Sequence, residues 1–229
     1  MRILFFILLL NAVILSSSCK NSTKEPQSSA AGKPDSLAKT NAADDSSLQY
    51  LTQASAQLLP EWKQSFKDFL ADSFRFTQRT SYSDKELQDT AGMKEFMDLY
   101  GPSLVFTADS SQFIDLFSAG ISLERQGKKL IAIADADMAI SLCNLKNGQW
   151  KQIAFFGPSA GIEEAAWVSD TVFVLAGTIH NDDGIPEAFI LVGNTQQQKL
   201  SWFESNIIRP ASVEYNASGL KKLKIDEWE

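Results

Sequence analysis

The chain has 229 residues, of which 44% are hydrophobic and 21% are charged. This balance is typical of a soluble globular protein and argues against a wholly disordered chain, a collagen-like repeat or a polytopic membrane protein. Lysine and arginine number 21 against 28 aspartates and glutamates, and the net charge of -7 leaves no cationic surplus for a nucleic-acid backbone. The single histidine excludes a metal site that needs two imidazoles.

The N-terminal residues have the order of a secretory signal. Arg2 is followed by a run over residues 3–15 that is apolar except for Asn11, then by serines from Ser16 onward and by Cys19. The run is too short to cross a hydrocarbon core of ~30 Å as a helix, but its length suits the apolar region of a signal peptide. We therefore expect this segment to be removed from the mature protein.

This segment resembles the signal of a bacterial lipoprotein, although Ser16 stands where that signal usually has leucine and Leu15 lies one position earlier. The resemblance implies that residues 1–18 are cleaved, and that Cys19 becomes the first mature residue and carries a thioether-linked diacylglycerol. The alternative is an ordinary secretory signal in which Cys19 is coincidental. The resemblance ends at Cys19, and it predicts a membrane anchor in the bacterial cell envelope.

Residues 20–46 predict a flexible linker. They contain no aromatic residue, and Leu37 is their only large apolar side chain. Such a segment buries too little apolar surface to offset the entropy lost on ordering. As a coil it spans a root-mean-square distance of ~29 Å. The predicted organisation is a signal peptide (1–18), a lipidated cysteine with its linker (19–46) and a single globular domain (47–229).

The domain is predicted to begin with two helices. Leucine, tryptophan and phenylalanine recur at helical spacing from residue 47 onward. Pro60 disfavours helix in the residue before it but is well tolerated in the first turn of a new helix. The pattern therefore predicts helices over 47–58 and 60–74.

A third, shorter helix is predicted near residues 91–100. Ser83 and Glu86 before it have the spacing of a capping box, in which a hydroxyl and a carboxylate accept hydrogen bonds from backbone donors. Gly101 and Pro102 then end the helix. The stretch 47–100 is thus predicted to be mainly helical.

Residues 101–229 are predicted to be mainly β. Short apolar and β-branched runs alternate with turn signals, and turns this short join antiparallel strands. About eight strands are expected in a meander that packs on the N-terminal helices, so the predicted fold class is α+β. Residues 212–228 are expected to add one or two edge strands, in which three lysines discourage pairing with another chain. These are Lys221, Lys222 and Lys224.

The meander carries signs of an internal two-fold repeat. The tripeptide Gly-Pro-Ser occurs at residues 101–103 and again at 157–159, an offset of 56 residues. Each copy divides into about four strands, which resembles the texture of a β-propeller blade. Because closed propellers need about four to eight blades, two copies argue for a curved sheet rather than a closed propeller.

Ser159 lies in a Gly-x-Ser-x-Gly sequence from Gly157 to Gly161, the pattern of a nucleophile elbow. The only candidate base is His180, which lies beside Asp182 and Asp183. A meander lacks the alternating strands and helices that hold the triad of an α/β-hydrolase. We therefore favour a Gly-Pro turn between repeat units, with a serine hydrolase as the alternative.

The remaining acidic residues are candidates either for a calcium site or for the carboxylates of a glycosidase. Two loop pairs lack the ligand spacing that collects six to eight oxygens for calcium, and we interpret them as solvated turns. These pairs are Asp135 with Asp137 and Asp182 with Asp183. Glu163 and Glu164 could serve a glycosidase if a second acid stood ~5–10 Å away. An exposed strand or turn face is the favoured interpretation of this pair.

Three tryptophans, Trp150, Trp167 and Trp202, fall near predicted strands. Tryptophan on a rigid sheet can bind sugars or peptides, but it is also a common core residue, and we favour the core. Besides Cys19 the chain has one cysteine, Cys143, in an apolar stretch without a neighbouring histidine or basic cluster. We therefore expect a packed, unreactive thiol.

The expected function is that of a lipid-anchored envelope protein whose folded body is a non-catalytic binding or interaction module. Its expected partners are a membrane, reached through Cys19, and another envelope protein or a glycan. No cofactor, metal or catalytic residue is assigned. The alternatives are an envelope hydrolase, either a serine hydrolase around Ser159 or a carboxylate glycosidase, and a glycan-binding or solute-binding lipoprotein.

Overall fold

The computed structural model describes residues 45–82 and 92–228, with side chains from Tyr50 onward. The predictions for the signal peptide, for Cys19, for most of the linker and for the capping box at Ser83 lie outside these residues. The described part of the chain forms four α-helices and twelve strands. It is mostly β, and its sheets are antiparallel apart from one short pairing.

The described chain opens with the helices α1 (Asp45–Gln57) and α2 (Pro60–Gln64). Pro60 lies in the first turn of α2, as predicted, because the N–H that it lacks would have no partner there. The prediction that this helix continues to residue 74 is wrong. Asp68 has a left-handed φ of 55°, which a right-handed helix cannot contain. A short turn, Ala71–Ser73, then leads into strand β1 (Arg75–Ser81), so the region predicted to be helical contains a strand.

The strands form three sheets. The first contains β1 together with β8 (Ala160–Trp167), β9 (Val172–His180), β10 (Pro186–Asn194) and β11 (Lys199–Ile208). Its order is β1-β11-β10-β9-β8. The second contains, in this order, β2 (Val105–Phe106), β3 (Gln112–Asp115), β6 (Met138–Asn144) and β7 (Gln149–Phe156). The third contains β4 (Ile121–Gln126), β5 (Lys129–Ala134) and β12 (Glu227–Trp228), and β12 runs parallel to β5.

The five-stranded sheet is buried on both faces. Along β9, Val174 faces a core formed with α1 and α2, whereas Leu175 faces a core shared with the other sheets, and both side chains are fully buried. We call these the helix-side core and the inter-sheet core. Burial on both faces explains the nearly continuous apolar runs of β9 and β10. Phe156 of β7 and Phe189 of β10 meet across the inter-sheet core, with ring centroids 5.7 Å apart.

The third helix, α3 (Met93–Tyr100), confirms the helix predicted near residues 91–100. It packs on the four-stranded sheet, where the rings of Phe96 and Phe113 stack with centroids 6.1 Å apart. The Tyr100 hydroxyl donates a hydrogen bond to the carbonyl oxygen of Ile121 over 2.7 Å. This bond connects α3 to the three-stranded sheet.

The prediction of edge strands over residues 212–228 is mostly wrong, because a fourth helix, α4 (Ser218–Leu223), lies there and only β12 is a strand. Gly219 lets this helix dock closely, since a Cβ atom at this position would lie 2.5 Å from the ring of Phe117. Leu223 is buried on the same side. The three lysines predicted for an edge strand are instead exposed on this helix or directly after it. These are Lys221, Lys222 and Lys224.

Two hairpins, β6–β7 and β10–β11, have the same turn. Asn144 and Asn194 each end the first strand, and the side-chain oxygen of each accepts the backbone N–H of the second residue after it over 3.0 Å. The residue before the second strand has a positive φ in both turns, 67° at Gly148 and 53° at Gln198. An asparagine cap followed by a left-handed residue therefore closes both hairpins.

Candidate functional site

A β-bulge in β8 puts two consecutive glutamates on one face of the sheet. Ile162 pairs with Gly177 and Glu164 pairs with Ala176, so Glu163 is the extra residue. Before the bulge, the even-numbered residue Ile162 faces the inter-sheet core. After the bulge, the odd-numbered residues Ala165 and Trp167 face that core, and the even-numbered residues face the helix-side core. Both carboxylates consequently reach toward the helices and the C-terminal segment. In a regular strand, by contrast, two consecutive side chains would point to opposite faces of the sheet.

Glu163 binds a buried arginine in a two-pronged ion pair. The Nη1 and Nη2 atoms of Arg209 donate to its two carboxylate oxygens over 2.6 and 2.7 Å, and Trp62 Nε1 donates to Oε2 over 2.7 Å. Arg209 also donates from Nε to the Ser65 hydroxyl over 3.1 Å, and its guanidinium lies 4.5 Å from the centroid of the Phe66 ring. The ion pair therefore joins α2, β8 and the chain after β11.

Glu164 holds the start of α4. It is 4% exposed, and the backbone N–H and hydroxyl of Ser218 donate to its two oxygens over 2.7 and 2.6 Å. The Tyr215 hydroxyl donates to the same carboxylate over 2.5 Å. No side chain within α4 caps its N-terminus, so the carboxylate from β8 supplies the cap. Burial raises the pKa of Tyr215 above its usual range, and the hydrogen bond to Glu164 and the negative charges of Glu164, Glu163 and Glu61 raise it further.

A cleft of about 460 Å³ lies between β2, β8, α4 and the C-terminal end of α1, and both glutamates line it. Its wall is largely apolar and includes Leu58, Leu104, Phe117 and Ala165. β2 and β8 are edge strands of different sheets. They are joined beside the cleft by a hydrogen bond of 2.9 Å from Trp167 Nε1 to the carbonyl oxygen of Val105. We call this space the seam cleft.

The favoured interpretation of Glu163 and Glu164 as an exposed face is wrong. Each carboxylate accepts three hydrogen bonds from the protein itself. The arrangement secures α2 and α4 to β8, and no third acidic residue lines the described cleft. Sequence reasoning missed the partners Trp62, Arg209 and Tyr215, which lie too far along the chain for a local pattern to reveal them.

The structure brings the backbones of Ser159 and His180 together but not their side chains. The His180 N–H donates to the Ser159 carbonyl oxygen over 2.8 Å, as part of the register between β8 and β9. Both residues are exposed. Asp182 and Asp183 lie in the next turn, and both are exposed. Within residues 45–82 and 92–228, no side-chain hydrogen bond connects the serine to the histidine.

Among the described residues, no group of three or more histidine, cysteine, aspartate or glutamate side chains could hold a metal ion. Asp135 and Asp137 are exposed, as interpreted from the sequence. In the same part of the chain, no helix has the length and apolarity to cross a bilayer.

The tryptophans predicted near strands pack into the fold. Trp150, Trp167 and Trp202 are half-buried and lie against the inter-sheet core. Trp202 stacks on Phe189 with ring centroids 5.8 Å apart and an interplanar angle of 11°. Cys143 is a buried free thiol, as predicted, and burial raises its pKa to about 11.

Comparison with known proteins gives no match for this chain. No family model, curated protein or solved structure matches it.

Proposed function

We propose that the protein is a lipid-anchored lipoprotein of the bacterial cell envelope, and that its folded body is a non-catalytic binding module. The observation that carries this proposal is the order of the N-terminal residues. A short charged start, an apolar run and Cys19 are followed by a polar linker without aromatic residues. A tether of this kind holds a folded body near a bilayer without inserting it.

The chemistry of the folded body supports binding rather than catalysis. The two carboxylates at the seam cleft are held in place by hydrogen bonds that fasten α2 and α4 to β8, and Ser159 is exposed in a turn without a side-chain contact to His180 among the described residues. The cleft has the volume of a small-molecule site, which is typically about 300–1,000 Å³. A solute is therefore the favoured ligand, ahead of a glycan on the tryptophans, which pack into the core.

The anchor is tested with the two cysteines of the chain. The full chain, Cys19→Ala and Cys143→Ala are expressed in bacteria that are fed an alkyne-bearing fatty acid, and the membranes are separated from the soluble fraction. We expect the wild type and Cys143→Ala to carry the label and to sediment with membranes, and Cys19→Ala to lose the label. An unlabelled wild-type chain, or a label that depends on Cys143, contradicts the proposal.

We further propose that β2-β3-β6-β7 and β8-β9-β10-β11 are two copies of one four-stranded, blade-like unit. The matching turns at Asn144 and Asn194 support this, and so does the Gly-Pro-Ser tripeptide that precedes each unit. The β4–β5 hairpin is then an insertion into the first copy. Exchange of the 145–148 and 195–198 turn sequences tests the proposal, because equivalent turns accept the exchange with little loss of thermal stability.

A further inference from the structure

The seam cleft is lined by a buried carboxylate that forms no ion pair with any described residue, although Arg209 and Lys221 lie against the ring of Tyr215, whose hydroxyl binds it. Glu163 is paired with Arg209, but Glu164 is bound only by neutral donors, namely the hydroxyl of Tyr215 and the hydroxyl and N–H of Ser218. Glu164 is 4% exposed and lines the cleft. A buried carboxylate without an ion-pair partner attracts a cation into the adjacent space, because the charge is poorly solvated there.

A positive charge stands at the rim of the same cleft. Lys222 lines it, is exposed, and makes no ion pair with any described residue. It lies four residues after Ser218 on α4, and Ser218 binds Glu164. Four residues advance a helix by ~6 Å, so the backbone of Lys222 lies about one helical turn along α4 from the residue that binds Glu164.

The wall between these charges offers both apolar surface and backbone hydrogen bonds. Leu104, Phe117 and Leu58 are buried side chains that line the cleft. The Val168 N–H donates to the Val172 carbonyl oxygen across the β8–β9 turn. This bond fixes which residues of β8 direct their backbone N–H and C=O groups toward β9, because that direction alternates along a strand. By that alternation the N–H and C=O of Ala165 point away from β9, toward the side on which the cleft lies.

We propose that the seam cleft binds a small zwitterion with apolar side chains, of the class of short apolar peptides such as dipeptides. The ammonium group lies at Glu164, the carboxylate lies at Lys222, and the side chains pack on the wall formed with Phe117. The backbone of Ala165 pairs with the peptide unit of the ligand. This inference rests on the proposed binding function of the folded body, but it does not depend on the lipid anchor.

The experiment measures binding of the dipeptide Leu-Leu to the full chain in phospholipid nanodiscs by calorimetry, with empty nanodiscs as the blank. The N-acetylated and the C-amidated dipeptides remove one charge each. We expect saturable binding of Leu-Leu, a loss of about fivefold in affinity for the C-amidated form, whose missing contact is with exposed Lys222, and a larger loss for the N-acetylated form, whose missing contact is with buried Glu164. Absence of saturable binding, or equal affinity for the three peptides, overturns the proposal.

Variants then assign the carboxylate contact. In Lys222→Met we expect Leu-Leu to bind about fivefold more weakly and C-amidation to cause no further loss, because the partner of the carboxylate is already gone. Lys224→Met, which changes a lysine outside the cleft, is the matched control and keeps wild-type affinity. Equal effects of the two substitutions overturn the assignment. A chain that stays in membranes but binds no dipeptide refutes only the cleft, whereas a soluble chain that binds Leu-Leu refutes only the anchor.

Discussion

Two regions of the molecule carry residues of the kind that enzymes use, and the structure treats them in opposite ways. At the β8 bulge, Glu163 and Glu164 are drawn into the protein and each accepts three hydrogen bonds from it. Where the β7–β8 turn meets the end of β9, Ser159 and His180 are exposed and, within the described chain, meet only through their backbones. The comparison teaches that residue type identifies a candidate site, whereas burial and partners determine what that site does.

The largest expected effect tests the buried side of this comparison. Arg209→Met removes one partner of the ion pair and leaves Glu163 with Trp62 alone, and we expect a loss of about 3 kcal/mol in the free energy of unfolding. Urea denaturation measures the loss. The double variant with Glu163→Gln is expected to recover part of it, because no unpaired charge then remains. A single-variant loss below ~1 kcal/mol contradicts the structural role of the pair.

The docking of α4 gives the next effect. Gly219→Ala adds a Cβ atom that would meet the ring of buried Phe117 at 2.5 Å. We expect the free energy of unfolding to fall by about 1–2 kcal/mol, because the cost of displacing a packed ring outweighs the gain in helix propensity. Gly101→Ala is the control, since no atom lies within 4 Å of a Cβ built there. Equal thermal midpoints of the two variants would show that α4 is loosely packed.

The pH dependence of stability provides a smaller effect. Burial raises the pKa of Cys143 from 9.0 to about 11, so the thiol ionises more readily in the unfolded chain than in the folded one. Its stabilising contribution is complete below pH 9 and is lost as the pH rises toward 11. We expect Cys143→Ala to flatten the fall in unfolding free energy over this interval. An unchanged slope in that variant contradicts the burial of the thiol.

The smallest effect belongs to the exposed turn. Ser159→Ala and His180→Ala are expected to change the free energy of unfolding by less than ~0.5 kcal/mol, because both side chains are exposed and unpartnered within the described chain. We also expect any ester hydrolysis by the full chain to be the same in both variants. A selective loss of hydrolysis at unchanged stability would restore the serine hydrolase and remove the contrast between the two regions.

The sequence predicted the features that depend on local periodicity. The helix α1, the short helix α3 and the antiparallel strands follow from apolar spacing and turn residues. Pro60 correctly marked the start of a helix, but the length of that helix depended on the left-handed backbone of Asp68, which no spacing rule indicated. The short apolar pattern of residues 218–223 suits either a strand or a helix, and the structure shows the helix α4 there.

The candidate site could not be predicted, because it depends on a single inserted residue. The sequence predicts an exposed strand or turn face for Glu163 and Glu164, because nothing in the local pattern indicates the bulge that turns both carboxylates toward the helices. Arg209 lies 46 residues beyond Glu163, and Trp62 lies 101 residues before it. Pairings at such separations arise from sheet order, which the local pattern does not contain.

The hydrogen bond between Trp62 and Glu163 has a mechanical consequence. α1 and α2 are the first described elements after the N-terminal segment, so tension applied to that end of the chain reaches the sheet through them. The indole donates to the same carboxylate that holds the guanidinium of Arg209. A pull on the helices is thereby shared with β8 and with the chain beyond β11, and peeling the helices away requires breaking a hydrogen bond to a charged carboxylate as well as apolar packing.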